Sequence, residues 1–361
     1  MKTCKKYTLA GFLAFLLIVS FSSTQTVFAN SSDDEEDITA LYPVEMDGKW
    51  GYINRTGTLI IECQFDQAMA FTSELGAVRI GDRESGKVSF INKTGNTVIE
   101  TEYNWVLGPV NDVYVVVIGK CDNGKWGLMD KNGSSILEPT FDWIWINKDW
   151  PAAVHVGGCG EGKWGFVNKA AEFTIEPQFD YAWHFAEGLA PVRFGTQESG
   201  VWGYIDNSGK IVINLMFDDA DSFSHGLAAV RTGEKCGYID HSGSFVINPQ
   251  YDAALSFYEG LGMVRVGDRK TGKIGYIDKK GAFIIEPEVS NGLSFSEGLA
   301  GITMGKKSNG KWGYIDKIGL LVIDTKFDSV ESFSNGLARV RIGKKYGYID
   351  KSGNYIREPT N

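Results

Sequence analysis

Residues 311–328 read KWGYIDKIGLLVIDTKFD, and this pattern returns along most of the chain. Trp312 and Tyr314 alternate with Gly313 and Ile315, a period of two that is typical of a β-strand. The Asp-x-x-Gly step that follows predicts a turn, because its glycine can adopt a positive φ. The β-branched run after that turn predicts a returning strand. The stretch therefore predicts a β-hairpin.

The glycine of the Trp-Gly pair marks an internal repeat. Most copies are separated by the interval from Gly127 to Gly165, a few by the shorter interval from Gly203 to Gly237, and Ser89 fills the one gap in the series. The repeat glycines are Gly51, Gly127, Gly165, Gly203, Gly237, Gly275, Gly313 and Gly347. The second half of the unit has the form FxEGLAxVRxG, with a clear copy over residues 185–195. A fixed period over most of the chain is the signature of a repeat architecture.

The shorter intervals identify a second hairpin in each unit. In long units the glycine that ends the second half of the unit precedes the next motif glycine by eight positions, as Gly195 precedes Gly203. In short units it precedes that glycine by four positions, as Gly233 precedes Gly237. Removing four residues from a hairpin tip leaves every side chain on its original face. The same deletion would rotate a helix by about 40°. Each unit is therefore predicted to be a three-stranded β-meander followed by a compact connection.

The phase of the two ends bears on how the units assemble. The array covers residues 40–361 and comprises nine units, which start and end at nearly the same point of the repeat. Propellers often close by splitting one blade between the termini, and no split unit is visible here. We therefore expect an all-β open β-solenoid or superhelix, with a β-propeller as the alternative.

The pattern KWGYIDxxG…FD resembles the WG-repeat (KWG-repeat) family of bacterial β-repeat proteins over residues 40–358. Over a shorter stretch, the aromatic strand and the Asn/Asp-x-x-Gly turn, it is also similar to the cell-wall (choline-binding-type) repeats. The first resemblance implies a repeat fold and no general activity. Two units depart from the pattern: Val88-Ser89 replaces Trp-Gly, and Val289-Ser290 replaces Phe-Asp.

The N-terminal residues have the composition of a targeting segment. Lysines precede an apolar run over residues 9–21, and small or β-branched residues stand just before Asn30. This pattern predicts a secretory signal peptide over residues 1–29, with a retained anchor as the alternative. Residues 30–39 are predicted to be an acidic, disordered spacer. We expect no membrane span after signal cleavage and an exported protein, extracellular or on the cell surface.

Charge and motif content bound the function. The formal net charge of −9 argues against nucleic acid as a partner, because phosphates demand clustered Lys and Arg. The four histidines stand at unrelated phases of the repeat, so we expect no metal site and no cofactor. Each Phe-Asp step offers too few oxygens for calcium and is better explained by an Asx-turn. No catalytic motif occurs, so we expect a protein that is not an enzyme; the alternative is an enzyme with an unmarked site.

Tryptophans outside the motif position are the strongest functional signal. Five of the ten tryptophans lie outside the motif position, all within units two to four: Trp105, Trp143, Trp145, Trp150 and Trp183. One full repeat interval separates Trp105 from Trp143, and the same interval separates Trp145 from Trp183, so neighbouring units would align them in a ladder. Such a ladder suits sugar faces or apolar side chains, and the alternative is a different core packing.

These features predict an exported binding or scaffold protein. One hypothesis is recognition of a glycan or cell-wall polymer through the tryptophans, and the other is a protein-interaction platform. Cys121 and Cys159 are also one repeat interval apart, and each precedes a motif glycine at the same offset. Export permits disulfides, so a Cys121–Cys159 bridge between neighbouring hairpin tips is possible if their Cα atoms come within about 7 Å.

Overall fold

The computed structural model describes residues 39–72, 74–82, 85–110, 112–120, 124–158, 162–304 and 310–360. Within these ranges every regular element is a β-strand, and 35 strands form nine antiparallel sheets that follow one another along the chain. Each sheet contains one copy of the repeat motif. The nine sheets stand in a ring as the blades of a β-propeller.

In blades 2 to 9 four strands follow in chain order, and each pairs with the next. Blade 1 has three strands among the described residues. The strands of blades 1 to 5 are β1 (Leu41–Met46), β2 (Lys49–Asn54), β3 (Leu59–Phe65), β4 (Gln67–Thr72), β5 (Leu75–Ile80), β6 (Lys87–Ile91), β7 (Thr97–Glu100), β8 (Trp105–Val110), β9 (Val113–Ile118), β10 (Lys125–Asp130), β11 (Ser135–Phe141), β12 (Trp143–Trp145), β13 (Ala152–Val156), β14 (Lys163–Val167), β15 (Phe173–Phe179), β16 (Tyr181–Ala182), β17 (Ala190–Phe194), β18 (Val201–Ile205) and β19 (Ile211–Phe217).

The remaining four blades repeat this order. Their strands are β20 (Asp219–Ala220), β21 (Ala228–Thr232), β22 (Lys235–Ile239), β23 (Phe245–Tyr251), β24 (Ala253–Tyr258), β25 (Leu261–Val266), β26 (Lys273–Ile277), β27 (Phe283–Val289), β28 (Asn291–Gly292), β29 (Leu299–Thr303), β30 (Trp312–Asp316), β31 (Leu321–Phe327), β32 (Ser329–Val330), β33 (Leu337–Ile342), β34 (Lys345–Asp350) and β35 (Tyr355–Thr360). The Trp-Gly position of the repeat lies on the third strand of each four-stranded blade and on β2 of blade 1.

The predicted connection after Phe-Asp is itself the first strand of the next blade. In blade 5, Tyr181 pairs with Arg193 and Ala182 with Val192, while the Asp180 N–H donates to the Arg193 carbonyl. The three predicted strands of the meander are therefore present, and the connection adds a fourth. A blade begins after Phe-Asp rather than at the Trp-Gly pair.

The ring is closed, so the expected open β-solenoid or superhelix was wrong and the propeller alternative is confirmed. Blades 1 and 9 pack directly: the rings of Tyr42 and Tyr348 lie 5.7 Å apart, and the Tyr348 hydroxyl donates to the Pro43 carbonyl at 2.7 Å. Ile53 and Leu337 are buried in the same apolar cluster. Side-chain packing closes the ring without a blade shared between the ends, which is why the absence of a split unit was not decisive.

One hydrogen bond recurs between neighbouring blades. A buried tyrosine two residues after the motif tryptophan position donates its hydroxyl to a carbonyl in or just after the first strand of the next blade. The pairs are Tyr52–Met69, Tyr204–Asp221, Tyr238–Leu255, Tyr276–Leu293 and Tyr314–Glu331, at 2.6–2.8 Å. Because these hydroxyls are buried, each contact also satisfies a group that water cannot reach.

The motif glycine lies opposite a bulge in the fourth strand. In blade 5, Trp202 pairs with Phe217 and Tyr204 with Ile213, so Gly203 faces a stretch that has two extra residues. A Cβ at Gly203 would lie 2.6 Å from the Ile213 carbonyl oxygen, closer than side chains approach. The motif glycine therefore allows the third and fourth strands to approach closely at this point.

The predicted turn after the third strand is also present. Asp316 Oδ1 accepts the N–H groups of Ile318 and Leu320, and Gly319 has a φ of 87°. This is an Asx-turn, in which the carboxylate mimics a backbone acceptor. The Asx-turn therefore belongs to the Asp of Tyr-Ile-Asp rather than to the Asp of Phe-Asp.

Candidate functional site

The non-motif tryptophans lie along the first strands of blades 3, 4 and 5. Trp105 is on β8, Trp143 and Trp145 are on β12, Trp150 follows β12, and Trp183 follows β16. All five side chains are half-buried. They therefore contribute to the packing between blades and still expose part of each ring to solvent.

Three of these tryptophans form one aromatic cluster, which we define as Trp126, Trp143, Trp145, Tyr181 and Trp183. Trp143 stacks on the motif Trp126 of blade 3 at 4.1 Å between ring centroids and lies 5.5 Å from Trp145. Trp145 lies 5.2 Å from Trp183 of the next blade, and Trp183 lies 5.3 Å from Tyr181. Offset and tilted rings at these distances attract one another.

The repeat spacing explains why the cluster forms here. The first residue of a first strand follows the motif tryptophan of the preceding blade at a constant interval, and the two side chains meet between the blades. Where both are aromatic they pack: Trp126 with Trp143, and Trp164 with Tyr181 at 5.2 Å. In blade 6 the same position holds Asp219, and the aromatic series ends.

The structure brings together only part of the expected ladder. Trp145 and Trp183 are adjacent, as their spacing predicts. Trp105 instead lies beneath the Arg79 guanidinium, at 4.7 Å from ring centroid to Cζ. Trp150 packs against the apolar core shared by blades 3 and 4, and the Lys169 ammonium lies 5.7 Å from its ring.

A partly buried histidine follows the cluster along the chain. His184 follows Trp183 directly, and burial lowers the pKa of His184 to about 4, against a smaller opposing effect of the Asp149 carboxylate. The imidazole is therefore neutral at pH 7, with one donor and one acceptor nitrogen.

The repeated Asp of Phe-Asp joins neighbouring blades. Asp252 Oδ1 accepts the Lys235 ammonium of blade 6 at 2.9 Å, and Oδ2 accepts the Gly267 N–H of blade 7 at 2.7 Å. The Lys235 hydrogen bond, followed by the Gly267 N–H, holds the pKa of Asp252 below its usual value. The role is structural, as expected, but both partners are distant in sequence rather than local.

The same arrangement occurs at several of the equivalent carboxylates. The motif aspartates are Asp66, Asp142, Asp180, Asp218, Asp252 and Asp328. All six accept a backbone N–H from the turn after the second strand, and all but Asp218 also pair with a lysine. Within the described ranges, no group of three or more His, Cys, Asp or Glu side chains is arranged to hold a metal ion.

The chain matches a known family of repeat proteins along most of its length. The WG containing repeat family matches residues 50–83, 89–120, 126–154, 164–195, 202–236, 237–269, 274–307 and 312–346. The chain belongs to this family. The matches begin near each motif tryptophan and cross from one blade into the next, so a WG repeat joins two blades.

Solved structures with similar folds are distant. TolB from Acinetobacter baumannii shares 12% identity over 58% of this chain and 62% of that chain, with a TM-score of 0.34. A prolyl endopeptidase shares 8% identity over 96% of this chain and 59% of that chain, with a TM-score of 0.45. Prolyl oligopeptidase B from Galerina marginata shares 9% identity over 80% of this chain and 56% of that chain, with a TM-score of 0.44. The WG-repeat chain thus spans about three fifths of the length of these proteins.

No curated protein matches the chain. Among the described elements there is no helix long and apolar enough to cross a membrane. The predicted signal peptide over residues 1–29, nearly all of the acidic spacer, and both cysteines of the predicted Cys121–Cys159 bridge lie outside the described residues. Cys63 and Cys236 are free, half-buried thiols, and burial raises the pKa of each.

Sequence reasoning missed a groove where the WG-repeat ring closes. A cavity of about 220 Å³ lies between blades 1 and 9, and its walls include Pro43, Asp47, Arg339 and Tyr346. The signal that could have found it is in the repeat alignment. In the other blades a first strand with apolar residues precedes the second strand by a nearly constant number of positions. The residues at that distance before β1 do not have this apolar pattern.

Proposed function

We propose that this WG-repeat propeller is a non-enzymatic, exported binding protein that recognises a glycan or cell-wall polymer through the aromatic cluster. A closed ring of blades is a rigid frame on which side chains from neighbouring blades hold fixed positions. The observation that carries the proposal is the pair Trp145 and Trp183, partly exposed side chains from two blades whose ring centroids are 5.2 Å apart.

The chemistry of the cluster favours a carbohydrate. The C–H faces of a sugar ring pack on exposed indole rings, while its hydroxyls need neutral hydrogen-bonding groups nearby. Trp145 and Trp183 supply the rings, and His184, neutral at pH 7, directly follows Trp183 in the chain. Trp143 contributes support instead, because Trp126 covers one of its faces at 4.1 Å.

Export is the second part of the proposal. Its support is the lysine-rich start, the apolar run over residues 9–21 and the small residues before Asn30. An extracellular or surface location would bring the aromatic cluster into contact with cell-wall polymers. Fractionation of the producing cells, with a blot against the propeller, tests this part separately from ligand binding.

The ligand is tested with a panel of purified glycans and cell-wall polymers. We expect quenching of tryptophan fluorescence by at least one ligand, and loss of at least tenfold in affinity for Trp145→Leu and Trp183→Leu. Leucine is compatible with the fold there, because Leu107, Leu255 and Leu293 occupy the equivalent positions of other blades.

Leu255→Ala is the matched control, since it alters the same position outside the cluster and should bind normally. No response across the panel, or unchanged affinity in both leucine variants, would overturn the glycan proposal. A second candidate, a protein-interaction platform, is favoured by a different observation: one edge of β1 has no strand beside it among the described residues.

A further inference from the structure

Among the described residues, blade 1 has no counterpart of the first strand that begins each of the other blades. In blades 2 to 9 the second strand lies between a first and a third strand, as β25 lies between β24 and β26. Among the described strands β1 pairs only with β2, so its other edge has no strand beside it. An unpaired edge presents backbone N–H and C=O groups that can bind another extended chain.

The groove lies where the first strand would be. Between blades 1 and 2, the Tyr52 hydroxyl donates to the Met69 carbonyl on the first strand of blade 2 at 2.8 Å and lies 3.5 Å from the Ala77 carbonyl on its second strand. At the seam, the equivalent hydroxyl of Tyr348 donates to Pro43, the counterpart of Ala77, at 2.7 Å. At the seam the tyrosine hydroxyl therefore bonds to the second strand of the next blade, and a cavity of about 220 Å³ lies beside this contact.

Next to Lys344, which lines the groove, blade 9 carries the lysine of the repeated lysine–aspartate pair. Lys345 stands at the position of Lys235, whose ammonium pairs with Asp252 in the next blade. Within the described residues Lys345 is exposed and has no carboxylate partner. The turn N–H of Asp47 stands at the position of Gly233, which donates to Asp218. An aspartate entering between blades 9 and 1 would meet both donors.

The eight existing first strands show what fits the groove. At a fixed position before the Leu-Ala segment, each has a small or β-branched side chain. These residues are Ala68, Val106, Ile144, Ala182, Ala220, Ala254, Gly292 and Val330. An acidic or amide residue usually stands two places earlier, as in Asp252-Ala253-Ala254.

The chain's own sequence does not provide this pattern for blade 1. The same count back from Leu41 reaches Asp34, in the run Asp-Asp-Glu-Glu-Asp, with Ser32 two places earlier. A carboxylate at the small apolar position would be buried against the next blade, which is costly without a partner. The groove therefore fits a segment from elsewhere better than it fits residues 32–37.

We propose that the seam groove binds an extended peptide of a partner protein, which adds to β1 as the missing first strand. The peptide carries an aspartate followed two residues later by alanine or a similarly small apolar residue. Its backbone pairs with β1, its aspartate binds Lys345 and the Asp47 N–H, and its small side chain packs beneath the neighbouring blade. This is β-strand addition with the specificity of the inter-blade interface.

The test uses a labelled nine-residue peptide that copies residues 250–258, QYDAALSFY, a first strand of this chain. We expect a rise in fluorescence anisotropy on adding the protein, and about fivefold weaker binding to Lys345→Gln, the scale of one solvent-exposed ion pair. Lys235→Gln is the matched control, because its groove is already filled, and it should bind like the unaltered protein. A peptide with asparagine for the aspartate should bind as weakly as Lys345→Gln does.

Three outcomes would overturn the proposal. They are no binding at millimolar peptide, equal effects of the two lysine variants, or binding that appears only after residues 1–38 are removed. The last would show that the chain's own segment fills the groove. The proposal does not depend on glycan recognition: Trp145→Leu and Trp183→Leu should bind the peptide normally, so either proposal can fail alone.

Discussion

At the scale of single residues, the Asp of Phe-Asp has two separable contacts. Asn104 occupies this position in blade 3 and still accepts the Gly119 N–H at 2.8 Å, so an amide preserves the backbone contact and loses the ion pair. Asp252→Asn should therefore lower the free energy of unfolding by about 0.5–1 kcal/mol at pH 7, the value of a solvent-exposed pair. Urea denaturation of both proteins measures the difference.

The pH dependence of this difference has a definite sign. Lys235 and the Gly267 N–H lower the pKa of Asp252 in the folded state, so its contribution is complete above the unfolded value of about 4 and is lost as the pH falls through the folded value. The gap between Asp252→Asn and the unaltered protein should shrink as the pH falls from about 5 to 3. Asp278→Asn is the control and should be neutral, because Asn54 makes the same turn in blade 1. A gap that stayed constant with pH would contradict the ion-pair explanation.

At the scale of the element, the motif glycine and the bulge in the fourth strand require each other. A Cβ at Gly237 would lie 2.5 Å from the Ile247 carbonyl oxygen and 2.7 Å from the Pro249 nitrogen, so the fourth strand would have to move. Gly237→Ser should therefore destabilise the protein by at least about 2 kcal/mol, as overpacking against backbone does. The midpoint of urea denaturation measures the loss.

Blade 2 supplies the control for this prediction. Ser89 stands at the glycine position there, and it pairs directly with Glu100 in a short fourth strand, β7. Because no bulge faces it, Ser89→Gly should change stability by less than about 1 kcal/mol, the cost of glycine in a strand. Equal losses in the two variants would show that the bulge does not select the glycine.

The elements also show which parts of the fold can be predicted from sequence. Hairpins such as β30–β31 were predictable because alternation, an Asx-turn and one glycine determine them locally. The first strands were read as connections because a two-residue strand such as β16 has no periodicity of its own and exists only by pairing with β17. The aromatic pair Trp145 and Trp183 was predictable from spacing, whereas the position of Trp105 depends on a contact with Arg79 that spacing does not encode.

At the scale of the whole molecule, closure could not be decided from the repeat. Each unit specifies how one blade meets the next, and a small rotation accumulated over nine interfaces separates a ring from a superhelix. The decisive contacts join Tyr42 and Pro43 to Tyr348, residues from opposite ends of the array that follow no repeat spacing. The groove at the seam is a consequence of that closure, since it exists only where blade 1 meets blade 9.

The seam should be the least stable interface of the ring. In the part of the chain that the structure describes, no first strand covers this interface as one covers the others, and a cavity of about 220 Å³ lies there. Hydrogen exchange should therefore be faster in β1 and β34 than in their counterparts β21 and β18, which face each other between blades 5 and 6. Tyr348→Phe removes the hydroxyl bond to Pro43 and should increase exchange at the seam further, whereas Tyr276→Phe, which removes the bond to Leu293 at 2.8 Å, should leave the seam unchanged.

Each phenylalanine variant should cost about 1 kcal/mol, the net value of one buried hydrogen bond, and Phe90 and Phe166 show that the fold accepts phenylalanine at this position. The two variants thus have equal direct costs and differ only in the interface they weaken. If opening begins at the seam, Tyr348→Phe accelerates exchange in β1 and β34 alone, and the docking peptide slows it again. Uniform exchange around the ring, in both variants, would mean that the nine interfaces open together and that closure is as strong as any other contact between blades.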